Sequence, residues 1–193
     1  NILTEIRMAT SSDGGLNWST PYDTNIIYSS WVDVAYGDGK FVAVGFGAMM
    51  YSSTPDVALS WTGVNVSGSW KSITYDGGYF VAVADNGRLG YSTDGISWYT
   101  AGAQALETNE WEQITYGGGY FVAVSKDGTN RIVYAIEGEN DWNIIAAPEQ
   151  NSWLSVAYGE GRFVATGGSG TNRVMYSNIV DVPNRYVDVS SGG

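Results

Sequence analysis

The chain has 193 residues, of which 44% are hydrophobic and 15% charged, and its 20 acidic against 9 basic side chains give a net charge of −11. Such a composition buries a core, which excludes global disorder, and an acidic chain offers no basic face to nucleic-acid phosphates. With neither Cys nor His, it has no disulfides, no thiolate or imidazole chemistry, none of the triads built on them, and no Cys or His metal site.

The first residues, Asn1 to Glu5, have no basic start and no long apolar run, so no signal peptide is expected. A start at Asn rather than Met is expected of a processed product or a fragment. No run approaches the ~20 apolar residues of a membrane span, so no membrane insertion is expected.

From residue 7 onward the chain repeats itself. The stretch from Trp31 to Val44 reads Trp-x-x-Val-Ala-Tyr-x-x-Gly-x-Phe-Val-Ala-Val, and close copies begin at Trp70, Trp111 and Trp153. A second half-motif follows each copy. It is clearest as Arg88-Leu89-Gly90-Tyr91-Ser92-Thr93-Asp94-Gly95 leading to Trp98, and it matches Arg7 to Trp18. Looser copies end at Trp61 and Trp142, so the 8 tryptophans divide evenly between the two half-motifs. Both halves are short β-branched and aromatic runs, which read as strands. The glycine pairs between them suit tight hairpins that need positive φ. The Ser-x-Asp-Gly segments form a second set of turns, where Ser and Asp side chains brace the backbone.

Each unit is therefore four antiparallel strands in roughly 40 residues, the pattern of a β-propeller blade. The expected fold is all-β, one five-bladed propeller over 1–193. Four blades fall at about 31–63, 70–101, 111–146 and 153–183. The end segment Arg185 to Gly192 aligns with Ser30 to Gly37. It supplies a first strand to a composite closing blade, 1–20 plus 184–193, in which Ile2 to Glu5 is the candidate second strand. Pairing the C-terminal strand with the N-terminal strands closes the ring and removes free edges. The rival reading is a piece of a longer propeller.

Ser11-Ser12-Asp13-Gly14-Gly15-Leu16-Asn17-Trp18 resembles the Asp-box, Ser-x-Asp-x-Gly-x-x-Trp, and Ser92 to Trp98 is similar but one residue shorter. Pro55-Asp56 and Glu137-Gly138 replace the turn in two units, and Asn178 to Pro183 has lost it. Asp-box repeats occur in sialidases, other glycosidases, sortilin-like receptors and photosystem assembly factors. The Trp-x-x-Val-x-Tyr half resembles propeller repeats of phage tail and virion proteins and of bacterial surface proteins. This likeness implies a fold rather than an activity.

Strand order separates the loops into two ends. The glycine hairpins and the Asp-box turns share the bottom, where they are short and repetitive. The longer, variable links lie at the top, where binding residues are expected on a rigid scaffold. Tyr22, Asp23, Asn25 and Tyr99 are candidates there, with an aromatic ring for a sugar face and polar groups for its hydroxyls. Asp85, Asn86 and Asp127 offer further polar groups. Arg88, Arg131 and Arg173 recur at the start of the third strand, as does Arg7, with Ala48 in the remaining unit. They brace loop carbonyls or acids, or else form a cationic ring for acidic ligands. Asn130 and Asn172 precede two of them in identical Thr-Asn-Arg runs.

The expected function is a non-catalytic glycan-binding or adhesion module of a phage virion or bacterial surface. Its expected partner is a glycan or cell-surface polysaccharide, with no cofactor, no metal and no nucleic acid. One alternative is a structural decoration that docks to virion or surface proteins. Another is a glycosidase, which needs two carboxylates; Asp33, Glu112 and Asp188 stand near the top of first strands and are the candidates.

Overall fold

The computed structural model describes residues 8–20, 30–57, 60–100, 108–137 and 141–178. Every regular element among them is a strand. The first sheet is antiparallel and in chain order: β1 (Trp31–Gly37), β2 (Lys40–Gly45), β3 (Ala48–Ser52) and β4 (Thr62–Val64). The second repeats it with β5 (Trp70–Asp76), β6 (Tyr79–Ala84), β7 (Leu89–Ser92) and β8 (Tyr99–Thr100). The third contains β9 (Trp111–Gly117), β10 (Tyr120–Ser125), β11 (Ile132–Ile136) and β12 (Asn143–Ile145). The fourth has β13 (Trp153–Gly159), β14 (Arg162–Gly167) and β15 (Val174–Tyr176), and no fourth strand among the described residues.

Local chemistry sets each sheet. The first two strands are joined by two-residue turns with positive φ at both positions: Asp38 and Gly39 at 46° and 70°, Glu160 and Gly161 at 48° and 74°. That is the hairpin turn whose twist matches the flanking strands. The second strand is covered on both faces, so Val42, Ala43 and Val44 are all buried. A run buried on both sides reads as continuously apolar rather than alternating.

The sheets stand side by side, β1 against β5, β5 against β9 and β9 against β13. Val42, Val44 and Met49 of the first sheet meet Trp70, Ile73 and Phe80 of the second. Val81, Val83 and Leu89 meet Trp111, Ile114 and Phe121 in the next gap, and Val122 and Val124 meet Trp153, Val156 and Phe163 in the third. Polar clasps reinforce this packing. Asp33 Oδ2 accepts the Ser72 hydroxyl and the Ile73 N–H, both at 2.9 Å, and Gln113 Oε1 accepts the Val156 N–H at 2.8 Å. Gly37 and Gly117 lack the Cβ that would collide with the Tyr75 and Tyr158 rings of the following sheet.

The two outer sheets differ from the inner ones. Val34 and Tyr36 on β1 are 52% and 60% exposed, although Ile73, Ile114 and Val156, the counterparts of Val34, are buried. On the fourth sheet Val164, Val174 and Tyr176 are exposed, whereas Val42 and Val81, the counterparts of Val164, are buried. Thr10 and Ser19 pair across a hairpin, and Met8 beside it packs on Ala43, Met50 and Trp61. Leu89 packs on Ala123 and Val133 in the same way. Four sheets are thus described, where the sequence anticipates five blades in a closed ring. The strands expected from 2–5 and 184–193 lie outside the described residues.

Candidate functional site

The bottom turns are braces. Ser92 donates to Asp94 Oδ1, which also accepts the N–H groups of Ile96 and Ser97 at 2.8 and 2.7 Å. Trp98 Nε1 closes the corner on the Gly95 carbonyl at 3.2 Å. Ser11, Asp13, Gly15 and Trp18 repeat this arrangement. Partial burial pushes the Asp94 carboxyl up, but the donated hydrogen bonds outweigh it and hold the pKa at about 2. The N–H and side-chain amide of Asn17 and the Ser11 hydroxyl hold Asp13 at about 2 as well.

The top loops are also braced, and the arginines carry much of it. Arg88 donates to the Ser67 carbonyl at 2.6 Å, and Arg173 to that of Gly170 at 3.0 Å. Arg131 donates to the carbonyls of Gly128, Lys126 and Asn151. Asp85, Glu110, Glu112, Asp127 and Glu149 stand among these bases, so the described loops do not form a cationic ring. Asp127 accepts the Glu110 N–H at 2.7 Å. Asn130 and Asn172 offer their carbonyls to the side-chain amides of Asn109 and Asn151. Asn172 also donates to Glu149, which lowers the Glu149 pKa. Asn86 turns the β6–β7 link with φ of 61°.

Tyr99 is not in a top loop. It lies on β8 at the rim, opposite Tyr91, with the two rings stacked at 5.5 Å. The second half-motif continues into a strand directly after Trp98, which carries Tyr99 away from the loop end. Tyr22, Asp23 and Asn25, like Arg7 and Asp188, lie outside the described residues. Of the carboxylates considered for glycoside cleavage, Asp33 clasps two sheets, and Glu112 pairs with Lys126 at 3.2 Å. Glu110 pairs with the same ammonium, and these carboxylates raise its pKa.

The repeat singles out two other top positions. The residue after each first-strand Trp is Val32, Lys71, Glu112 or Leu154, and the first residue past each second strand is Phe46, Asp85, Lys126 or Gly168. The residue before the first is always Trp and the residue before the second is always small (Gly45, Ala84, Ser125 or Gly167), yet these two positions change between aromatic, apolar, acidic and basic. They also meet one another: Lys71 Nζ lies 5.1 Å from the Phe46 ring centre and 3.6 Å from Asp85 Oδ1. Asp85 Oδ1 is buried and accepts no hydrogen bond. Phe46 is 45% exposed. Sequence reasoning passed over Phe46 and Lys71, although a signal was present: of the 5 phenylalanines, only Phe46 stands outside the strand motif.

An apolar cleft of about 360 Å³ separates the third and fourth sheets, between Tyr120, Ile132 and Tyr134 on one side and Phe163, Met175 and Tyr176 on the other. Its origin is the repeat. Trp98 packs into the gap between the first and second sheets and Trp142 into the next. The fourth unit has no second tryptophan.

No family model matches the chain, and no curated protein matches it. Solved structures do. The chain is similar to the computationally designed Ika4 protein, with TM-score 0.64 and 12% identity over 83% of this chain and 99% of that one. It is similar to YCF48 bound to D1 peptide, with TM-score 0.62 and 16% identity over 88% of this chain and 56% of that one. A chain of a nidogen/laminin complex matches with TM-score 0.59 and 12% identity over 78% and 60%. The chain thus spans little more than half of the YCF48 chain. These neighbours are β-propellers, and the likeness gives the fold: an all-β propeller of repeated antiparallel sheets.

Proposed function

We propose that the chain is a non-catalytic binding module, a five-bladed propeller closed by its terminal strands, that engages a macromolecular ligand at the top of its first strands. One observation carries this reading. At two fixed positions per sheet the residue type varies freely, although each follows a constant part of the repeat, the first-strand Trp or the small residue that ends the second strand. A repeat holds invariant what the fold needs; what varies at a constant geometry is open to serve recognition. The same surface combines an aromatic ring at Phe46, an exposed Leu154 and charges of both signs at Lys71, Glu112 and Lys126. Such a mixture suits a protein segment, with apolar anchors inside a polar rim. YCF48 with its D1 peptide and nidogen with laminin are propeller neighbours seen with protein partners.

A glycan is the second reading, favoured by the Phe46 corner. A flat ring beside an ammonium offers a sugar both a stacking face and a hydroxyl partner. The setting proposed for either ligand is a virion or an extracellular surface.

The test is a parallel screen of the purified chain on a displayed peptide library and a glycan array, with Phe46→Ala and Lys126→Glu alongside. Specific binding to one library, weakened at least about tenfold by Phe46→Ala, supports the reading and names the ligand class. Binding that both variants leave untouched places recognition elsewhere and overturns it. Hydrolysis of a chromogenic glycoside by the parent chain refutes the non-catalytic reading.

A further inference from the structure

Two of the gaps between sheets each hold one indole from a second half-motif, Trp98 between the first and second sheets and Trp142 between the second and third. The third gap receives none. Trp61 packs on Ala43 and Met50, and Trp18 stands 65% exposed, so no tryptophan of that motif is left for it. The walls of the third gap are nevertheless those of the first. Val122, Val124, Tyr134 and Ile145 line the cleft from the third sheet, at the positions that Val42, Val44, Tyr51 and Val64 hold in the cluster around Trp98. Strand register fixes the match: Val42 pairs with Tyr51 as Val122 does with Tyr134, and Met49 pairs with Val64 as Ile132 does with Ile145. Phe163 and Ala165 face them from the fourth sheet, where Phe80 and Ala82 stand in the second. One wall position differs. Gly90, whose missing Cβ would lie 3.3 Å from the Trp98 ring, pairs with Ala82, and Met175 pairs with Ala165 in its place. Met175 does not fill the space, since about 360 Å³ remains open beside it.

We propose that this cleft binds a neutral, planar aromatic molecule of the indole class, which takes the place that Trp98 and Trp142 hold in the sister gaps. Size, lining and charge agree on that class. A dry apolar cavity of about 150 Å³ already admits benzene, so the cleft has room for a fused bicyclic ring. The Met175 thioether is adaptable and packs well against aromatic rings. Ser177 Oγ on the cleft wall accepts the Phe163 N–H at 2.9 Å and donates to the Asn178 carbonyl at 2.8 Å, which leaves a lone pair for an indole N–H. Among the described residues no charged side chain lines the cleft, and the chain carries −11 overall, so a buried carboxylate on the ligand would find no partner. The site lies between two sheets rather than on the top loops, so it is tested apart from the recognition surface proposed above.

The probe is fluoroindole, read by fluorine NMR, because the chain's own 8 tryptophans crowd an optical signal. Titrated with the intact chain, its resonance should shift and broaden with a Kd below about 1 mM. At a probe concentration about tenfold above Kd, Tm should rise by about 3–5 °C. Met175→Trp puts an indole of the chain's own into the cleft and should weaken the probe at least about tenfold. Ile145→Trp, at a position 45% exposed, covers the cleft from its rim and should do the same. It asks nothing of the core, so it carries the test if Met175→Trp does not fold. Val174→Ala, 60% exposed and away from the cleft, should leave binding unchanged. No binding by the parent chain up to about 10 mM probe, or binding that neither tryptophan variant weakens, overturns the site. N-acetyltryptophanamide binding more than about tenfold tighter than fluoroindole overturns the small molecule as occupant and points to the tryptophan side chain of a partner.

Discussion

Asp33 decides between two readings of one carboxylate, catalytic and structural, and its removal can be priced from the geometry. Its Oδ2 accepts from Ser72 Oγ and from Ile73 N, and Ser72 is buried at 3% exposure. Asp33→Ala leaves a buried hydroxyl and a strand N–H without their partner. Hydrogen bonds to a charged acceptor contribute about 1.5–3 kcal/mol each when buried. Asp33 is half-buried, and water will replace part of the loss. About 2 kcal/mol in total is expected, which lowers Tm by about 4–8 °C at this chain length. Asp33→Asn keeps an acceptor without the charge and should lose about half as much. The assay is urea unfolding of Asp33→Ala, Ser72→Ala and the double variant. The double should lose less than the two singles together, with a coupling of about 1 kcal/mol. A change below about 0.5 kcal/mol for Asp33→Ala, or additivity across the cycle, would refute the clasp as a stabilising contact.

Two further substitutions test the same architecture. Gly117→Ala drives a methyl group into the Tyr158 ring and should cost about 1–3 kcal/mol by overpacking, whereas Gly159→Ala, with nothing within 4 Å, should stay within about 0.5 kcal/mol; equal costs in thermal melts would contradict the inter-sheet seat. Asp94 has a folded pKa of about 2, below its ordinary 3.8. Its contribution is therefore present above about pH 4 and lost as the pH falls through 2. The full shift corresponds to about 2 kcal/mol, and solvent screening reduces it to about 1. Asp94→Ala should melt lower than the parent at pH 7 and match it near pH 2, and a gap that persists at pH 2 would count against the carboxylate as its source.

The strands were legible in the sequence because each has a local cause. The Phe-Val-Ala-Val runs fix the second strands, and the glycine pairs fix the turns before them. The recurring arginines were visible too, but their role was not, because Arg131 reaches the Asn151 carbonyl of the next unit, a contact made only when the sheets assemble. Tyr99 was misplaced because a two-residue strand leaves almost no alternation to read. Gln113 and Asp33 fill the same clasp with different residue types, so a search for identical positions missed the pair.

In a repeat of this kind, departures from the period carry more information than the period itself. The repeated Trp, Val and Phe side chains that lie between two described sheets are buried there and say what holds the units together. Phe46 departs from it at the first loop position, where the next units carry Asp85 and Lys126. The missing fourth-unit tryptophan departs in the opposite sense, since it removes a packing residue and leaves the apolar cleft beside Met175. The two departures call for different explanations. A lost core residue leaves the apolar walls of Tyr134 and Tyr176 facing a gap that its counterparts Trp98 and Trp142 help to fill elsewhere. An aromatic ring left 45% exposed on a braced loop face, with the Lys71 ammonium beside it, has the character of a contact surface for a ligand.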